Sequence, residues 1–192
     1  MTNIAIFASG AGSNALNLIN YFKTNTQINI ACIACNNANA GVITKAQAEH
    51  IPILLFDKLM LNNETEFMQM LTIHDVNFIV LAGFLWKIPA YLTHNFANKI
   101  INLHPALLPN YGGKGMYGMR VHTAVIDNKE TQSGITIHYV NEHYDEGQII
   151  AQYTTTVFQQ DTPETLAHKI HELEHTYLPL VINEVIQKQK TY

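Results

Sequence analysis

Three stretches of this chain carry polar side chains where an apolar strand would not take them in unpaired. Asn102-Leu103-His104-Pro105 ends one apolar run, Thr136-Ile137-His138 lies in a later one, and Asp145 follows shortly after. On a strand, residues two apart share a face, so Asn102 and His104 point together, as do Thr136 and His138, while Leu103 and Ile137 point away. Burying an amide or an imidazole is unfavourable unless the group is paired. An amide donor, an imidazole and a carboxylate are also the parts needed to stabilise an oxyanion, move a proton and hold the imidazole's charge. A satisfied core network would use the same residue types. Their coincidence at predicted strand ends favours a functional cluster of Asn102, His104, Thr136, His138 and Asp145 over a satisfied core network.

Other motifs compete. Ser9-Gly10-Ala11-Gly12-Ser13-Asn14-Ala15 is a small-residue turn from the first strand into a helix, and the opening N–H groups of a helix favour an anion. Gly10, Gly12 and Ala15 fit the relaxed dinucleotide fingerprint, which keeps a nicotinamide-dependent oxidoreductase in view. That fold wants an acidic residue after the second strand for the ribose hydroxyls; Asn36-Asn37 stand there instead, so a single phosphate fits better. A bare strand-to-helix turn would use the same glycines. His171-Glu172-Leu173-Glu174-His175 matches H-E-x-x-H, the zinc-hydrolase pattern, but the downstream candidate for a third ligand, Glu184, falls on the same helix. Ten histidines in the chain also make a chance match common. No metal is therefore expected, and the stripe His168, His171, Glu174 and His175 faces substrate or water. Cys32 and Cys35 spell C-x-x-C, yet within the apolar run INIACIACNN they read as buried structural thiols, because a redox pair belongs at a helix start.

Periodicity predicts strands in NIAIFAS, INIACIAC, IPILLF, NFIVLAGF and KIINLH, alternating with helices near Asn14 to Phe22, Gly41 to His50, Glu64 to His74 and Pro89 to Phe96. This alternation of nearly all-apolar strands with helices predicts a Rossmann-like α/β fold, with a mostly parallel sheet, helices on both faces and ligands beyond the carboxyl ends of the strands. After His104, PALLPNYGGKGMYGMRVH is a Gly/Pro-rich connection of roughly fifteen residues, long for a compact domain unless the loop has work to do. GITIHYV and QIIAQYTTTV, separated by NEHYDEG, read as an antiparallel edge pair. A long closing helix begins at Asp161-Thr162-Pro163-Glu164 and repeats Leu166, Ile170, Leu173, Tyr177 and Val181 at helical spacing. At 192 residues and 47% hydrophobic, residues 1–192 are expected to form a single domain. A net charge of −4 without Lys/Arg clusters argues against nucleic-acid partners. No leader-like N-terminus and no apolar stretch approaching ~18 residues occur, so a cytoplasmic protein without a membrane partner is expected.

Taken in order, SGAGSN, VLAGF, NLHPALLP, GITIHYV and YDEGQII resemble the phosphoribosylglycinamide formyltransferases of purine synthesis over nearly the whole chain. NLHPxLLP is shared with other folate-dependent formyltransferases, of methionyl-tRNA and of amino sugar nucleotides. Length, SGAGSN and the GGKGMYG loop point to the glycinamide branch, with an amino-sugar-nucleotide formyltransferase as the alternative. The resemblance implies transfer of the formyl group of 10-formyltetrahydrofolate, a co-substrate, to the amine of 5-phosphoribosylglycinamide, without metal. It implies that Asn102, His104 and Asp145 are catalytic: Asn102 and protonated His104 stabilise the tetrahedral intermediate, Asp145 favours the imidazolium and helps pass the amine proton to the leaving nitrogen, and Thr136 and His138 form a supporting shell. Gly12, Ser13 and Asn14 match the substrate-phosphate loop, and His171 and Glu174 match last-helix positions that hold substrate. Folate would lie against Leu85, Trp86, Lys87 and Ile88, against Asn102, and against Val140, Asn141, Glu142, His143 and Tyr144, held largely by backbone groups. The chain departs from the family at Leu85-Trp86, where many relatives have Met-Arg, at Glu64, where some carry arginine, and at His171, more often glutamine. Partners are then small molecules, with a homodimer left open.

Overall fold

Strand β1 (Thr2–Ala8) has no wet face: Ile4 to Ala8 are all fully buried, as in a parallel sheet enclosed on both sides. In the computed structural model, which describes residues 1–190, the chain continues through α1 (Ser13–Phe22), β2 (Ile28–Cys35), α2 (Gly41–Ala48), β3 (Ile53–Leu55), α3 (Lys58–Asn62), α4 (Glu64–Ile73), β4 (Phe78–Leu81) and α5 (Ala90–Asn95). It then runs through β5 (Ile100–His104), α6 (Met119–Asp127), β6 (Gln132–Tyr139), β7 (Ile149–Thr156) and α7 (Pro163–Lys190). The strands form one sheet in the order β3-β2-β1-β4-β5-β6-β7. β1 pairs in parallel with β2 and β4, β2 pairs in parallel with β3, and β6 and β7 form the antiparallel edge pair that the sequence predicts. The chain divides into two compact units, Met1–Ile101 and the remainder from Asn102.

In the first unit, α1 buries Ala15, Leu18, Ile19 and Phe22, a stripe at i, i+3, i+4 and i+7 that turns one face of the helix inward. Phe7, Phe56, Phe67 and Phe84 meet with ring centroids 5.0–6.0 Å apart, mostly edge-on, and close the core beside β1. Cys32 and Cys35 are buried on β2, and burial pushes the Cys32 thiol up to about 12, as suits a structural residue. In the second unit, α7 buries Leu166, Ile170, Leu178, Val181, Ile182 and Val185, and Tyr153 of β7 stacks on Tyr177 with centroids 3.6 Å apart. Thr162 and Thr165 cap the start of α7 reciprocally through backbone N–H and hydroxyl groups.

Two helices depart from the predicted order. α6 begins in the last residues of the segment read as a Gly/Pro-rich connection and runs past its end at His122; its Gly-rich lead-in hides the periodicity of Val121, His122 and Val125, which are buried. α3 follows a third strand of only three residues, because Asp57 stops the extended run and caps the helix by accepting from Met60 N at 2.9 Å. Among the described residues, no helix is long and apolar enough to cross a membrane.

Candidate active site

The cluster forms within the second unit, around Asp145. Asn102 Nδ2 donates to Asp145 Oδ1 at 3.3 Å and lies 3.0 Å from His138 Nε2. His138 Nδ1 is 2.9 Å from the carbonyl oxygen of Tyr139; a carbonyl only accepts, so Nδ1 carries the hydrogen and Nε2 accepts from the amide. The same reasoning applies to His104. Its Nε2 is 2.8 Å from the Tyr111 carbonyl and must donate, which leaves Nδ1 facing Asp145 Oδ2 at 3.6 Å, beyond hydrogen-bond reach but close enough for charge to be felt. Asp145 itself has φ 57, a left-handed backbone that Asp tolerates better than most residues, and its Oδ2 accepts from Gly113 N at 2.9 Å. Gly112 permits that approach: a Cβ there would come within 2.5 Å of Leu108 Cδ2 and 3.4 Å of Asp145 Cβ.

Burial governs the charge states. His104 is buried, which disfavours its imidazolium; the Asp145 carboxylate and the Tyr111 carbonyl pull the other way and His138 adds to the burial effect, with the net result below the ordinary 6.5. The resting ring is therefore neutral at pH 7, so the protonated His104 expected from the family resemblance arises only when a proton is delivered to it. Burial pushes Asp145 up, but the neighbouring imidazoles of His138 and His104 and the hydrogen bond from Gly113 N–H outweigh it and hold the carboxyl below 3.8.

Thr136 is fully buried and makes its hydrogen bonds to other groups than Asn102, His104 and Asp145. Its hydroxyl donates to Ala106 O at 2.7 Å and accepts from Leu108 N at 3.0 Å and Gln152 Nε2 at 2.9 Å, so it pins the chain leaving His104. Val140 to Tyr144 link β6 to Asp145, with Asn141, Glu142, His143 and Tyr144 exposed and Asn141 Oδ1 accepting from His143 N. On α7, His171 and Glu174 are half-buried, and the His171 ring lies 4.0 Å from that of His175. Among the described residues, no three His, Cys, Asp or Glu side chains are grouped to hold a metal ion.

The predicted phosphate turn lies in the first unit. Gly12 is the N-cap of α1 with φ 73 and supplies no side-chain cap, and a Cβ on it would strike Val42 at 2.5 Å, so only glycine fits. The α2 end of the unit clamps this turn: Val42 N donates to Gly10 O at 3.1 Å and Lys45 Nζ donates to Ala11 O at 2.6 Å. Ser13 and Asn14 open α1 from that clamp. The turn is also tied to the segment after β4, since Ser9 N donates to Gly83 O and Ser9 Oγ accepts from Leu85 N, both at 3.1 Å. Of the predicted folate residues there, Leu85 and Lys87 are exposed and Ile88 is buried, while Trp86 packs near Phe56 and Phe84 with Lys58 Nζ 5.4 Å above its ring. Glu64 opens α4 and accepts from Asn95 Nδ2.

Sequence reasoning missed Tyr111, Gly113, Gln152 and Lys45. The first two act through backbone groups, which leave no side-chain signature beyond the length of their loop. Gln152 is a polar residue within the β7 run, directly opposite Thr136 in the antiparallel register. Lys45 gave no signal, since a single lysine on a helix reads as surface.

The formyl transferase family model matches residues 2–182. The phosphoribosylglycinamide formyltransferase of Bacillus subtilis (strain 168) is 37% identical over 97% of this chain and 95% of its own length. The chloroplastic enzymes of that name from Arabidopsis thaliana and Vigna unguiculata are 37% and 36% identical over 97% of this chain, which spans 66% and 61% of their lengths. Among solved structures, the phosphoribosylglycinamide formyltransferase of Bacillus halodurans superposes with a TM-score of 0.88 at 31% identity, covering 98% of this chain and 97% of that one. That of Anaplasma phagocytophilum gives 0.87 at 32% identity, over 97% and 88%. The chain belongs to the formyl transferase family, alongside the phosphoribosylglycinamide formyltransferases.

Proposed function

We propose that the chain transfers the formyl group of 10-formyltetrahydrofolate to the amine of 5-phosphoribosylglycinamide, in purine biosynthesis. The observation that carries the chemistry is the neutral, buried His104 whose bare Nδ1 faces Asp145 beside the amide of Asn102. As the amine attacks the formyl carbon, His104 Nδ1 takes a proton from it and Asp145 stabilises the resulting imidazolium. Asn102 turns an amide hydrogen to the oxygen that gathers negative charge; its contact with Asp145, the longer of its two at 3.3 Å, is the one to give up. His104 then returns the proton to the departing folate nitrogen as the carbon–nitrogen bond to folate breaks, leaving a formylated amide and tetrahydrofolate. A ring with lowered proton affinity suits both halves of this exchange at neutral pH.

Ser13 and Asn14 hold the substrate phosphate at the opening of α1, Gly12 gives the turn its shape, Lys45 adds positive charge beside it, and His171 and Glu174 hold the rest of that substrate. The backbone of Leu85 to Ile88 and of Val140 to Tyr144 receives folate. The family model crosses both units, which supports one catalytic domain over residues 1–192. In this reading the partners are small molecules, the chemistry uses no metal, and the reaction belongs to the cytoplasm.

The test is formyl transfer from 10-formyltetrahydrofolate to phosphoribosylglycinamide, to its unphosphorylated riboside and to an amino sugar nucleotide. The expected kcat/KM for phosphoribosylglycinamide exceeds the others by about 10²-fold or more, the phosphate contributing binding at the α1 turn. Preference for the sugar nucleotide, or no transfer to any of the three, contradicts the reading.

A further inference from the structure

We propose that Tyr111 is the positioning residue that decides which nitrogen of His104 handles the proton. The proposal rests on the reading of His104 as the proton carrier and names a device that this role requires. Tyr111 has φ 56, the left-handed backbone that glycine takes without strain, although glycines stand at the next two positions. A side chain kept there contributes something that glycine lacks. The hydroxyl is tethered on both sides: it donates to Glu130 Oε1 at 2.7 Å and accepts from Asn128 Nδ2 at 3.1 Å. Asn128 is the C-cap of α6, and Glu130 N donates to Val125 O, so both tethers are fixed to the last turn of that helix. The helix end thus holds the Tyr111 side chain, which holds its backbone, which holds its carbonyl 2.8 Å from His104 Nε2.

The carbonyl matters because a stronger acceptor lies on the other side of the ring. Asp145 Oδ2 stands 3.6 Å from Nδ1, and a carboxylate attracts an N–H more strongly than a carbonyl does. Left to itself, the neutral imidazole would put its hydrogen on Nδ1, toward Asp145, and present no lone pair to an incoming amine. By committing Nε2–H, Tyr111 keeps Nδ1 bare. The titratable groups that act on this ring are Asp145 and His138, and neither can hold Nε2.

The test uses the full chain with Tyr111→Phe, which keeps the ring and removes both tethers. Nitrogen-15 spectra of the parent should show His104 with its hydrogen on Nε2, and Tyr111→Phe should move the ring toward the Nδ1–H form. In formyl transfer, kcat should fall by about tenfold with both KM values within about twofold, an effect well below the loss seen when a triad histidine is locked in the wrong tautomer. Glu130→Ala should behave alike, and Glu130→Gln, which keeps an acceptor, should recover most of the rate. An unchanged tautomer in Tyr111→Phe and Glu130→Ala, or a raised KM with kcat intact, overturns the proposal. A shifted tautomer supports it even if His104→Ala keeps its rate, in which case the proton-carrier reading alone fails.

Discussion

Asp145 serves two neighbours that make different demands on it: His104 needs its charge, and Asn102 needs its oxygen. Asp145→Asn keeps the shape and removes the charge, so the imidazolium of His104 loses the neighbour that opposes burial. His104 then protonates at lower pH than in the parent. Because the ring must be neutral to accept a proton, the acid limb of the kcat/KM profile should move to lower pH while kcat falls by about 10²-fold; a limb moving to higher pH would contradict this. Strand alternation made Asn102, His104 and His138 legible as one cluster, since side-chain direction on a strand follows from counting by two. It did not separate Thr136 from them. Thr136 shares the face but contacts Ala106, Leu108 and Gln152. Thr136→Val should lower stability by about 1–3 kcal/mol in denaturant unfolding, the usual penalty for stranding buried partners, and reduce kcat less than Asp145→Asn does.

Among the elements, α1 and α7 were legible because each has one apolar stripe, and β1 and β4 because parallel strands are apolar throughout. α6 was not, since its first turn follows a run of glycines and only three of its side chains are buried. The turn before α1 was legible as a turn, but its clamp was not, because Val42 and Lys45 reach it from a separate helix. Gly12→Ala should lower stability by about 1–3 kcal/mol through the positive φ and the collision with Val42, and raise KM for the phosphorylated substrate. Lys45→Met should raise the same KM by several fold with kcat and the KM for folate unchanged, an effect that shrinks as salt is added. Equal loss for phosphorylated and unphosphorylated acceptors would remove Lys45 from phosphate binding.

For the molecule as a whole, fold class and sheet composition could be read from the βα rhythm, whereas the division into two compact units could not, since no linker marks it. Two buried histidines in the second unit tie its stability to pH. Burial holds both His104 and His122 below 6.5, so the unfolded chain binds more protons than the folded one between that value and the folded ones. Stability should be complete above about 6.5 and fall with acidification below it; Asp145, held below 3.8, adds a second loss only at still lower pH. Melting temperatures from pH 8 to pH 5 check this, and His122→Phe should flatten part of the slope. The most direct test of the catalytic cluster is single-turnover formyl transfer by His104→Ala at saturating 10-formyltetrahydrofolate and phosphoribosylglycinamide. A rate reduced by about 10²-fold or more, with substrate binding within a few fold of the parent, is expected; a rate within a few fold of the parent would contradict the assignment.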